Sequence, residues 1–104
     1  MIDYAREELR VAVEALHGVT ATFMQTAPVC ETFRGQAVWE GVVHVFHLEG
    51  HPTATQAYAW SSPREGSSKR RLFAVLNLPP ISSPASAVRA AIIQEHRNAD
   101  STQS

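Results

Sequence analysis

The sequence predicts an α+β domain: an antiparallel four-stranded meander flanked by N- and C-terminal helices, in the order α-β-β-β-β-α, with both helices on one face of the sheet. Three observations lead there. Segments near each end repeat apolar residues at helical spacing. The chain between them is rich in β-branched and aromatic residues. Turn formers, namely Gly35, the run Gly50-His51-Pro52 and the polar loop from Ser62 to Ser68, cut that middle region into strands joined as hairpins.

The first helix is predicted over Tyr4 to His17. Ile2, Ala5, Leu9, Ala12, Val13 and Leu16 recur on one side, and Arg6, Glu7, Glu8, Arg10 and Glu14 on the other. Asp3 suits the N-cap and Gly18 the C-terminal stop. A strand from Val19 to Thr32 follows, interrupted near Ala27-Pro28. Proline cannot donate to a ladder, so this strand belongs at an edge or carries a bulge there. Gly35-Gln36 reads as a type II′ hairpin loop, a register that sets Glu31 opposite Glu40. The second strand, Ala37 to Leu48, is the most strongly marked. Neither of its faces is polar, so it calls for cover on both sides.

Thr53 to Ser61 forms the third strand and would place Gly41 opposite Trp60, an aromatic covering a strand glycine. Lys69 to Leu78 forms the fourth, ended by Pro79-Pro80. Ser83 followed by Pro84 signals the N-cap and first turn of a closing helix that runs to about Arg97, with Val88, Ala91, Ile92 and the stem of Glu95 inward. Residues 1–98 make one domain, and 99–104 have nothing to bury and read as a disordered tail.

Composition narrows the classes. A chain of 104 residues with 44% hydrophobic content folds as a single domain with a modest core. The formal charge of −1 gives no electrostatic reason to expect nucleic acid or an anionic membrane as a partner. Cys30 is the only cysteine, which rules out an internal disulfide and fits a reducing, cytoplasmic setting. No signal-peptide core and no apolar run long enough for a membrane span is present.

Assigning Ala57, Ala59 and Ala74 to the helix-covered face gathers Trp39, Val43, Val45, Tyr58, Trp60, Phe73 and Val75 on the other. A patch of that size left in water is abnormal. It predicts a homodimer, or a dimer of dimers, packed sheet to sheet, or else a surface that binds a small molecule or another protein.

The alternative is a small acid–base or metal-dependent enzyme. Glu31 and Glu40, placed opposite each other, would share a site with His44 further along. The plain explanation is that the register differs by one residue, or that Arg34 or Arg89 neutralises the carboxylates. His44, His47 and His51 suggest metal, but strand alternation sends His44 and His47 to opposite faces and no ligand motif backs them. No metal or other cofactor is therefore expected. The basic run Lys69-Arg70-Arg71, with Arg64, and the helix–strands–helix outline suggest a double-stranded RNA-binding domain. The segment Leu78-Pro79-Pro80-Ile81-Ser82-Ser83 lacks the glycine-rich basic stretch such domains carry there.

The stretch from Gly35 to Phe46, with Gly50-His51-Pro52-Thr53-Ala54 and Tyr58-Ala59-Trp60-Ser61, resembles a group of small uncharacterised bacterial proteins, some carried on integron gene cassettes. That resemblance implies no activity and no catalytic residue.

Overall fold

The computed structural model describes residues 4–63 and 70–102. The expected order is observed: α1 (Tyr4–His17), β1 (Thr20–Phe33), β2 (Gln36–Glu49), β3 (Gln56–Pro63), β4 (Arg70–Leu76) and α2 (Pro84–Thr102). The strands form one antiparallel sheet in the order β1-β2-β3-β4. Asp3, the loop residues Arg64 to Lys69 and the last two residues lie outside the described residues, as do the side chains of Phe33, Arg70 and Glu95. Helix α2 continues past Arg97 to Thr102, so most of the expected tail is helical.

Local chemistry accounts for the ends of each element. Gly18 takes φ 64° and donates to the Glu14 carbonyl at 2.9 Å, closing α1 in the left-handed conformation that glycine adopts without strain. Along α1, Arg10 holds Glu7 one turn back and Glu14 one turn on. At the other end of the chain Ser83 caps α2. Its Oγ accepts from the Ser86 N–H at 3.1 Å, and the Ser86 hydroxyl accepts in return from the Ser83 N–H at 2.9 Å. This is a capping box with serine in the position usually held by glutamate.

The first hairpin corrects the expected register. Its loop is Arg34-Gly35, both with positive φ (54° and 78°), and Phe33 pairs with Gln36. That is a type I′ turn, which matches the twist of the flanking strands. Two bulges then offset each other. Val38 is the extra residue on β2, and Met24 the extra residue on β1. Between them Glu31 lies opposite Trp39, and Cys30 opposite Glu40. The irregularity in β1 is thus at Met24, while Pro28 stays in the ladder of an edge strand, as a proline there must.

The second hairpin is longer than expected. His51 Nδ1 accepts from the backbone N–H groups of Thr53 (3.1 Å) and Ala54 (2.8 Å), building a compact turn that delays β3. The pairing becomes His44↔Ala59 in place of His44↔Ala57. A shift of two residues preserves the faces, so the predicted partition of side chains survives.

The helices do not share a face. Leu9 and Val13 of α1 pack with Phe46, Leu48, Ala57 and Ala59 on one side of the sheet. Ala87 and Val88 of α2 pack with Val43, Val45, Tyr58 and Trp60 on the other. The reason is volume complementarity. Small sheet residues (Ala57, Ala59, Ala74) receive the larger Leu9 and Val13, while the bulky Trp60 and Phe73 receive the alanine-rich side of α2. Each apolar face thus has its own helix, and the protein is a three-layer sandwich.

Candidate functional site

The aromatic residues expected to form an interface belong to the core of a single chain. Trp60 is 2% exposed and Tyr58 3%, Val43 and Val45 are buried, and Phe73, Val75 and Trp39 pack against them. Trp60 stacks on Phe73 with ring centroids 5.1 Å apart and meets Trp39 edge-on at 6.1 Å. Burial also pushes the Tyr58 phenol above its ordinary pKa. The premise for sheet-to-sheet pairing, an uncovered aromatic face, is removed.

The carboxylate pair is not assembled either. Successive strand residues face opposite sides, so Glu31 lies with Trp39 on the α2 side and Glu40 with Cys30 on the α1 side. Arg89 grips Glu31 with a fork, Nε to Oε1 at 2.7 Å and Nη2 to Oε2 at 3.4 Å. The hydrogen bond to Glu31, then its charge, raise the Arg89 pKa further above its ordinary value. Both plain explanations weighed from the sequence therefore apply to Glu31.

The histidines separate as their spacing requires. His44 is half-buried on the α1 side, near Phe23 (5.9 Å) and stacked beside Phe46 (6.5 Å, 19°). His47 is exposed, and His51 is occupied in its turn. Among the described residues, no three His, Cys, Asp or Glu side chains converge to hold a metal ion. No described helix is long and apolar enough to cross a membrane.

Two features remain on the α1 side of β2. The first is a notch where β2 and β3 part. Their ladder ends at His44↔Ala59, although β2 continues to Gln36 and β3 to Pro63. The notch encloses about 170 Å³ and is lined by Glu40, Val42, His44, Trp39, Ser61 and Leu9, among others. Trp39 spans the parting strands. Its indole lies over Gly41, where an added Cβ would come within 2.9 Å of the ring, and its N–H donates to Ser62 Oγ at 3.2 Å. Gly41 is therefore covered by Trp39 from its own strand, with Trp60 edge-on behind it, and not by a directly opposed Trp60.

The second feature is the outer half of the β1–β2 hairpin. Both strands have 14 residues, against 8 in β3 and 7 in β4, so the hairpin outruns its neighbours. On the α1 side of that overhang Pro28, Cys30 and Glu40 are exposed, as is half of Val42, and Val38 at its bulge is 47% exposed. The sequence held the signal for this overhang in the two long runs around Gly35, but not for which neighbour would fall short.

The carboxylates differ in their surroundings. Glu7 and Glu14 are held by Arg10 and Glu31 by Arg89, whereas no described side chain pairs with Glu40. Searches against protein-family descriptions, curated proteins and solved structures find no match to the chain.

Proposed function

We propose that the protein is a non-enzymatic binding module that pairs with a second copy of itself through the outer half of the β1–β2 hairpin. The observation that carries the reading is the uncovered α1-side face of that overhang, where Pro28 sits opposite Val42 and Cys30 opposite Glu40, with Val38 beside them. A two-stranded ribbon standing alone is marginal in water, and cover over its apolar side chains stabilises it. A two-fold contact would set the valines and proline of one copy against those of the other.

Magnitude fixes the strength expected. Burying the exposed halves of four valines across a two-fold axis gains roughly 3–6 kcal/mol. Association costs about 4–15 kcal/mol, so the valines alone offset only the low end of that cost and pairing is expected only at high concentration.

The test is sedimentation equilibrium over a wide concentration range, with mild oxidation at Cys30 as a second readout. Mass should rise with concentration, and oxidation should trap a dimer through Cys30, which is exposed on the same face. The double change Val38→Lys, Val42→Lys should return a monomer at every concentration with folding intact. A wild-type protein that stays monomeric throughout overturns the reading.

A further inference from the structure

We propose that the outer edge of β4 is a strand-pairing surface for the β4 of a second copy, and that His17 is the gate that keeps it shut. Asn77 donates to the Gln56 carbonyl at 3.0 Å, so the alternate residues Leu72, Ala74 and Leu76 turn their backbone N–H and C=O groups away from β3. Such a row is a template for an added strand. The last residue of α1 reaches across it: His17 donates from Nε2 to the Ala74 carbonyl at 3.0 Å, near the middle of the strand.

What lies beside the edge points to the occupant. Between α1 and β4 runs a groove of about 560 Å³ lined by Val11, Ala12, Ala15 and Leu72, with Glu7 and Glu8 toward the start of the helix. Val11 is 51% exposed there. A second β4, run antiparallel about a two-fold axis at Ala74, sets its own Leu76 opposite Leu72. Leu72, Ala74 and Leu76 all pack on the α1 side, so the incoming leucine enters the groove against Val11. Symmetry gives the second copy the same contact. On the α2 side this register sets Phe73 opposite Val75 and Arg71 opposite Asn77, so no like charges meet. The edge of β1 offers no such match, because Pro28 lacks a donor and the Ala21 N–H is taken by Glu14 Oε2 at 2.9 Å.

Pairing about Ala74 needs its carbonyl for the N–H of the second Ala74, and that carbonyl is the atom His17 holds. Each dimer must therefore release two His17 bonds. The sheet order places this surface on the edge opposite the β1–β2 hairpin, so the inference is independent of pairing there.

The experiment uses the Val38→Lys, Val42→Lys protein, in which the hairpin contact is silenced. Sedimentation equilibrium gives the mass, and amide hydrogen exchange follows Leu72 and Leu76, whose N–H groups point outward. With His17 in place the protein should stay monomeric. His17→Ala should tighten pairing by roughly tenfold or more, the release of two bonds, with mass and protection of both amides rising together with concentration. His17→Ser, too short to reach Ala74, carries the same expectation, whereas His17→Gln keeps an N–H donor and should remain a monomer. Val11→Lys added to His17→Ala should abolish pairing and keep α1 intact, since Glu7 lies one turn before it. A short variant that folds and stays monomeric at millimolar concentration, or a dimer that Val11→Lys leaves unchanged, overturns the proposal. Protection conferred by an acetylated Val-Thr-Val-Thr-Val peptide, and not by raising protein concentration, would assign the edge to a foreign strand and overturn it as well.

Discussion

Replacing Gly41 with alanine tests how Trp39 is held. A Cβ at position 41 would lie 2.9 Å from Cη2 and 3.0 Å from Cζ2 of the Trp39 ring, closer than real contacts allow. The ring must move, and two attachments resist. Its N–H bond to Ser62 Oγ is worth about 0.5–1.5 kcal/mol. Its edge-on contact with Trp60 is worth about the same. Working against the loss, alanine restricts the unfolded chain and gains about 0.5–1 kcal/mol where φ is ordinary, and no positive φ occurs at this glycine. The expected net cost is about 1–2 kcal/mol, a fall in midpoint of roughly 4–12 °C for a domain of this size. The decisive measurement is a double-mutant cycle in urea with Trp39→Ala. Without the indole, Gly41→Ala should become neutral or mildly stabilising, reversing its sign. An equal cost in both backgrounds would refute the account.

Other expectations follow from single contacts. The Tyr58 phenol has a folded pKa above its unfolded value near 10, so the protonated form is the one the fold prefers. Stability is therefore fully present below that pH and lost as pH rises through the folded pKa, and alkaline urea titrations should show a slope that Tyr58→Phe abolishes. His51→Ala should cost about 1–2 kcal/mol by removing the acceptor for two turn amides, while His51→Asn should recover part of it, seen in thermal midpoints. Ser83→Ala should cost about 1 kcal/mol by removing the cap of α2, and Ser83→Asp little, measured by urea unfolding. Pro28→Val should leave the monomer at least as stable but promote aggregation in light scattering, because it restores a donor on the outer edge of β1.

Legibility in the sequence followed the strength of each local signal. Gly18, Ser83-Pro84 and the β-branched, aromatic run from Val38 to Leu48 each have one physical reading, and the elements they mark are all present. The hairpin register was not determined by residue type. Gly35 fits the first central position of a type II′ turn and equally the second of a type I′ turn, which Arg34 completes by entering positive φ. That single-residue ambiguity decided whether Glu31 met Glu40, and with it the candidate acid–base site. The longer second turn was hidden because it rests on a histidine side chain acting as a backbone acceptor, a role asparagine or aspartate usually fills. The placement of α2 was readable in principle. Two apolar sheet faces and two helices, one with bulky inward residues and one rich in alanine, match small to large only when each face receives one helix.

The way the sheet ends is the strongest guide to where this molecule meets others. An open sheet exposes backbone groups at its edges, and proteins blunt them. On β1, alternation points the ladder groups of Val29 and Ala27 inward to β2, so the missing N–H of Pro28 falls on the outer edge, where an incoming strand would need a donor. On β4, the pairing of Asn77 N–H with the Gln56 carbonyl sends the groups of Ala74 outward, and the Ala74 carbonyl is met by His17 Nε2 at 3.0 Å. The two outer strands are thus guarded, one by a proline and one by a histidine from α1. The break in the ladder between β2 and β3 is bridged by Trp39, whose ring covers Gly41 and whose N–H donates to Ser62 Oγ. What stays uncovered at the free end of the hairpin is apolar, half-exposed Val42 with Val38 at its bulge, and these are the side chains a partner would cover.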